Sequence, residues 1–241
     1  MNASIGAYDL PERIASYDAD MDVMHPNRHL MLESALRILP FNSNQPLTIL
    51  DLGVGTGFFS LRFLKEFWNA HIIAVDGAAS MLDVARARLG DLKNRVDFRL
   101  GDFRFLDQLL KEGERLDLVI TAYALHHLNK VEKQTVVNDL VTRLRPGGWL
   151  VNADLITSPH PLLEERFQQI RAHGCVLRAK HGDSRFSDEA CTRSFLRDME
   201  KAEGDQPLTL REDLAILEAS DLKVADVFWL ETREAVTGGV K

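Results

Sequence analysis

The chain has 241 residues, 45% hydrophobic and 27% charged, with 36 acidic against 29 basic side chains and a formal net charge of −7. That length supports one sizeable domain with a full core, or one domain plus a modest cap. The acidic balance argues against a large nucleic-acid footprint, and with no apolar run near eighteen residues no membrane span is expected. The polar opening stretch lacks a basic region followed by an apolar core, so no targeting segment is expected. Cys175 and Cys191 do not make a disulfide framework. A protein of the reducing cytoplasm is the expectation.

Residues 1–45 read as a helical cap segment. Leu32, Ala35, Leu36 and Leu39 share one helical face there, limited by Pro40. Residues 42–46 read as a polar linker, and residues 46–241 as the main domain. Ile49-Leu50-Asp51-Leu52 is a buried strand running into the turn Gly53-Val54-Gly55-Thr56-Gly57. A helix follows, with Leu61, Leu64 and Trp68 at helical spacing against the sheet. The next apolar run, Ile72-Ile73-Ala74-Val75, is closed by Asp76, nineteen residues after Gly57. Residues 81–89 form another helix. Val96-Asp97-Phe98-Arg99-Leu100 is a strand followed by Gly101-Asp102-Phe103, residues 117–122 are a fourth strand, and Leu144-Arg145-Pro146-Gly147-Gly148 turns into a fifth.

Residues 156–210 are longer than a simple crossover requires. They hold two amphipathic stretches, one on Leu162, Leu163, Phe167 and Ile170, the other on Ala190, Phe195, Leu196 and Met199. Helix and strand then follow to the C-terminus. Alternating strands and helices predict an α/β fold with a parallel sheet covered on both faces and right-handed crossovers.

The glycine turn and the acid have a chemical reading. Glycine tolerates a sharp bend that side chains forbid, and bare backbone lets a ligand approach. Exposed amides at a helix start favour a negative group. An acid ending the second strand can accept two hydrogen bonds from the vicinal hydroxyls of a ribose. Dinucleotide sites space their glycines G-x-G-x-x-G. Here the third comes one position early, at Gly53-x-Gly55-x-Gly57.

That pattern, preceded by Asp51, resembles motif I (D/E-x-G-x-G-x-G) of the class I S-adenosylmethionine-dependent methyltransferases. Gly101-Asp102-Phe103 resembles the family's third motif, Leu144-Arg145-Pro146-Gly147-Gly148 its L-x-P-G-G turn, and residues 235–241 the last strand of its small members. The resemblance implies a Rossmann-like doubly wound, mostly parallel seven-stranded sheet with an antiparallel C-terminal strand. A helical cap would come from the N-terminus and the insert before strand six. It implies S-adenosyl-L-methionine as cofactor and S-adenosyl-L-homocysteine as product. Asp51, Gly53, Gly55, Gly57, Asp76, Gly77, Met81 and Thr121 would serve the cofactor, with Asp102 bonding the adenine amino group and Phe103 packing near the ring. Tyr17, paired with Asp18, would close over the methionine end.

Methyl transfer from a sulfonium needs no acid for its leaving group, so alignment carries much of the catalysis. A base is needed only when the acceptor must lose a proton. His126, in Tyr123-Ala124-Leu125-His126-His127-Leu128 after the fourth strand, is the candidate, with His127 second. His25 and His29 stand four apart but are separated by Pro26 and have no third ligand, so no metal is expected. Arg178, Lys180 and Arg185 could receive an anionic acceptor or mark a solvated turn. The expected partner is a small-molecule acceptor. A homodimer is left open. The alternatives are a tRNA-modifying or cofactor-modifying enzyme and a non-catalytic binding protein. Without a basic stripe bearing exposed aromatics, nucleic acid is the weaker choice.

Overall fold

The structure, a computed structural model, describes residues 3–9 and 11–241, so Met1, Asn2 and Leu10 of the opening stretch lie outside it. Three helices come first: α1 (Ala3–Tyr8), α2 (Pro11–Met24) and α3 (Arg28–Arg37). Strands and helices then alternate as β1 (Thr48–Leu52), α4 (Phe58–Glu66), β2 (His71–Asp76), α5 (Ala79–Leu89), β3 (Val96–Leu100), α6 (Leu106–Leu109), β4 (Leu116–Ala122), α7 (Lys130–Arg143) and β5 (Leu144–Leu155). The helices α8 (Pro161–Arg178), α9 (Glu189–Glu203) and α10 (Leu210–Glu218) precede the closing hairpin of β6 (Val224–Glu231) and β7 (Glu234–Val240).

The strands form one seven-stranded sheet in the order β3-β2-β1-β4-β5-β7-β6. The first five pair in parallel, and β7 runs antiparallel to both of its neighbours. This is the Rossmann-like arrangement expected from the sequence. Strand order reverses beside β1, which pairs with β2 on one side and β4 on the other. A crevice opens at such a switch point, beyond the carboxyl ends of the strands.

Side chains alternate across the sheet, so each central strand feeds two cores. Ile49 and Ile72 pack on one face with Phe63 and Leu64 of α4 and with Met31 and Leu32 of α3. Leu50, Leu52, Ile73 and Val75 pack on the other with Val136, Val137 and Leu140 of α7. The α3 helix therefore covers the sheet, and only α1 and α2 of the N-terminal segment reach over the strand ends. A buried ion pair, Lys133 Nζ to Asp213 Oδ1 at 2.7 Å, ties α7 to α10.

The structure corrects some of the expected packing. The α4 helix ends at Glu66, and Trp68, expected on its buried face, is 65% exposed. Phe59, Phe63 and Leu64 fill that place. On α8 the expected apolar face is largely outside: Leu162, Leu163 and Ile170 are exposed, and the residues it buries are Ala172 and Cys175. This helix meets α2 and α9 through its small side, which allows close approach. Cys191 is exposed.

Phe63 is fully buried at the centre of the larger core. Phe63→Ala is expected to lower unfolding free energy by about 3–5 kcal/mol. Urea denaturation checks this: the midpoint should fall with little change in slope.

Candidate functional site

Above the strand ends lies a cavity partly open to solvent. Gly53 and Gly55 reach it from the turn after β1, Asp76 from the end of β2, and Asp102 and Phe103 from just past β3. Gly77 and Met81 border it too. Gly55 has φ +52, and a Cβ placed there would meet nothing within 4 Å, so this backbone faces open space. Its amide donates to Asp76 Oδ2 at 2.7 Å, and the Ala78 amide donates to Oδ1 at 2.9 Å. Burial pushes the Asp76 carboxyl up, opposed by these amide bonds. The acid is thus held at a set angle beside the bare turn.

Asp102 accepts from the Arg104 amide and from Arg104 Nε, each at 3.0 Å. Burial would raise its pKa, but the Arg104 guanidinium outweighs this and holds the carboxyl below its usual range. The roof comes from the N-terminus. Ile5 of α1 sits so close to Gly77 that a Cβ there would lie 2.7 Å from its side chain. Tyr8 of α1 and Tyr17 of α2 line the cavity beside it.

Four residues expected at the cofactor or the chemistry lie elsewhere. Asp51 is buried behind the turn, accepting the Ser60 hydroxyl at 2.5 Å, and burial pushes its carboxyl up to about 7. It ties β1 to α4. Gly57, with φ +77, faces Ala85, whose Cβ would lie 3.2 Å from any Cβ at that position. Its task is to let α4 approach α5. Thr121 is buried in β4 away from the cavity. His126, expected as a base, is off this cavity and lines the second one described below.

His126 lies in a charged cluster. Its Nδ1 is 2.6 Å from Asp154 and its Nε2 is 3.5 Å from Asp205. Burial alone would lower its pKa, but the two carboxylates lift it to about 10. The ring is a cation with a donor on each nitrogen, and has no lone pair to accept a proton. His127 does line the cavity, with Nδ1 3.0 Å from Asp205 and Nε2 3.4 Å from the Tyr8 hydroxyl. Burial and the neighbouring His126 cation push its pKa down, so it is neutral near pH 7. His126, His127 and Asp205 each bring one potential ligand atom within 4.8 Å of the others. No sequence spacing signals this group, and the His126 cation compensates Asp205 directly.

A second, narrower pocket shares part of its lining with the first. Tyr8, Tyr17 and Tyr123 line both, and they are all the tyrosines of the chain. Tyr123 follows β4 at φ +49, a left-handed conformation that aromatic residues rarely adopt and that functional sites retain. Its hydroxyl donates to Glu234 Oε1 at 2.8 Å, and His25 Nδ1 lies 3.0 Å from the same oxygen. Met21, Met24 and Met199 supply apolar wall, and Arg13 and Arg171 also border the space. His29 points away and is exposed, so the two histidines do not converge.

The basic cluster of the insert is engaged in structure. Arg178 Nε donates to the Val23 carbonyl at 2.9 Å, and Arg185 pairs with Asp20 at 2.8 Å and with Asp183. Both fasten the insert to α2. Asp18, beside Tyr17, accepts from the Thr56 hydroxyl at 3.2 Å and pins α2 to the glycine turn. Sequence reasoning missed Ile5, Tyr8, Arg104, Arg13 and Arg171. Only Arg104, two residues after Asp102, stood beside a motif.

Residues 49–148 match the family model described as a methyltransferase domain. Residues 49–148 are thereby a methyltransferase domain. It is 32% identical over 122 residues to a demethylmenaquinone methyltransferase of Leptospira interrogans, covering 50% of this chain and 47% of that protein. It is 28% identical over 181 residues to a malonyl-[acyl-carrier protein] O-methyltransferase of Priestia megaterium, covering 75% and 58%. Among solved structures it resembles an O-methyltransferase family protein from Burkholderia thailandensis with a TM-score of 0.69 at 16% identity, over 97% of this chain and 61% of that one. The chain spans about half the length of the curated relatives it matches. No helix among the described residues is long and apolar enough to cross a membrane.

The His126 cluster ties the methyltransferase fold's stability to pH. The folded pKa lies above the unfolded value near 6.5. The contribution is therefore complete below about pH 6.5 and is lost as pH rises through about 10, at up to roughly 1.4 kcal/mol per pH unit. The stability gap between wild type and His126→Gln should narrow from pH 7 to pH 10 in urea titrations. A constant gap would show that the buried imidazole is neutral.

Proposed function

We propose that the chain transfers the methyl group of S-adenosylmethionine to a small-molecule acceptor, leaving S-adenosylhomocysteine. The observation that carries this reading is the joining of two cavities at one wall of tyrosines, the first bordered by Gly55, Asp76 and Asp102. The residues present fit the donor. Asp76, oriented by two backbone amides, offers its remaining lone pairs to the ribose hydroxyls. The bare backbone at Gly55 lets the amino-acid portion approach. Asp102 and Phe103 would receive the adenine, with Arg104 fixing the acid in place. When bound, the donor supplies a methyl carbon whose bond to sulfur breaks as the bond to the acceptor forms, the electron pair staying on a neutral thioether.

The protein's contribution is alignment and exclusion of water. Ile5 and Tyr8 close the first cavity from above, and Tyr17 and Tyr123 stand between it and the second. Burial holds the hydroxyls of Tyr8 and Tyr123 neutral. For an acceptor that must lose a proton, His127 is the group suited to take it, being neutral and on the cavity wall. This moves the base role expected of His126 by one residue.

Isothermal titration with S-adenosylhomocysteine should show binding to wild type, with a matching rise in melting temperature. Asp76→Ala should weaken it at least tenfold, because the ribose loses a charged acceptor. Equal affinity in that variant would refute the ribose assignment. Incubating wild type with a metabolite extract and isotopically labelled donor should label a small molecule. Binding without any labelled product would favour a non-catalytic role. In the same assay, for an acceptor that must lose a proton, His127→Ala should lower the transfer rate and flatten its dependence on pH.

A further inference from the structure

The second cavity holds donors that the protein itself does not use. Arg171, on α8, is about nine-tenths buried. Its Nη1 pairs with Glu200, while Nε and Nη2 are buried with no hydrogen-bond partner. Those two nitrogens share one edge of the guanidinium plane, the edge that grips a carboxylate through two parallel bonds. Arg13 lines the same cavity, with Nη2 on Glu203 at 2.8 Å and a buried Nε that lacks a partner. Buried donors without acceptors cost stability, so their persistence on a cavity wall points to a ligand that completes them.

The cavity's position gives the orientation. Arg171 borders the second cavity and a separate groove lined by Phe167, Ile170 and Trp229, but not the first cavity, whereas the three tyrosines border both cavities. An anion on Arg171 would therefore lie away from the cofactor side. Met21, Met24 and Met199 line the space between with flexible apolar side chains. On this wall Arg13, Arg171 and the His126 cation stand against Glu203 and Asp205, an excess of one positive charge that suits a single carboxylate better than a dianion such as phosphate.

Building on the methyl-transfer reading, we infer that the acceptor is a small, largely apolar carboxylic acid whose carboxylate docks on the free edge of Arg171, leaving its other end to face the tyrosine wall. Arg178 and Arg185 of the anion candidate visible in the sequence are instead bonded to α2. Arg171 acts by positioning the acceptor.

The test uses the full chain, with and without S-adenosylhomocysteine, and a panel of probes: hexanoate, benzoate and phenylacetate, each paired with its primary amide, plus inorganic phosphate. At least one acid should bind at least tenfold tighter than its amide by titration calorimetry. Arg171→Gln should abolish that preference with S-adenosylhomocysteine affinity unchanged, and Arg171→Lys should restore part of it. The proposal is overturned if no acid exceeds its amide, if phosphate binds and the acids do not, or if Arg171→Gln keeps the preference. Should Arg171→Gln fail to fold, the acid-against-amide comparison on wild type still decides. Failure of the cofactor reading registers separately, as no affinity for S-adenosylhomocysteine, and the probes on the unloaded chain then decide this proposal alone.

Discussion

The bond from the Gly55 amide to the Asp76 carboxylate, 2.7 Å long, joins the two features on which the site rests. It holds an acid from the end of β2 against a turn from the end of β1, and it does so with backbone on one side. The Gly53 and Val54 amides both donate to the Val75 carbonyl at 2.9 Å, so the turn is anchored to the neighbouring strand before it reaches the cavity. Parallel register between β1 and β2 makes this possible, since Leu52 stands opposite Val75. Behind the turn, Gly57 lets α4 sit against α5, and Asp51 bonds Ser60 from below. The glycines of the motif, its acid Asp51 and the acid Asp76 at the end of β2 thus do different work. Gly55 and Asp76 face the ligand space, while Gly57 and Asp51 make the turn rigid.

The roof depends on buried charge. Glu203 and Asp205, at and just past the end of α9, meet Arg13 of α2, Tyr8 of α1, and the two histidines after β4. Asp154 at the end of β5 closes the group through His126. Removing one partner from such a cluster leaves an uncompensated charge in a place water does not reach, which is costly. The N-terminal helices and the insert are therefore coupled to the strand ends by matched charge, with apolar packing playing a smaller part. The small core formed by Met24, Cys175, Phe186 and Leu196 is modest beside the two sheet cores. The exposed leucines of α8 follow from the same design, because that helix binds its neighbours through small residues and ion pairs such as Arg233 with Glu164.

The division between cofactor side and acceptor side follows the same line. The floor comes from strand ends, whose residues are adjacent to motifs. Most of the wall of the second cavity comes from α1, α2, α8 and α9, which are far apart in sequence, with α1 and α8 bringing only Tyr8 and Arg171. This is why Arg171, in the unremarkable run Phe167-Gln168-Gln169-Ile170-Arg171, carried no signal. It is also why the basic cluster around Arg185 could be read two ways: its charge was legible, but an acid that neutralises it, Asp20, sits far away in the chain.

By itself the sequence determined the sheet, its order of elements, and the residues Gly55, Asp76, Asp102 and Phe103 around the first cavity. Alternating apolar runs and glycine spacing are local constraints, set by backbone geometry and by the two-faced burial of a parallel strand. Tertiary structure alone decided which histidine is charged, which arginine keeps free donors, and which tyrosines stand between the cavities. Those properties depend on burial and on the sign of neighbours that arrive from other helices. A charge's partner, unlike a strand's period, is not encoded near it in the chain.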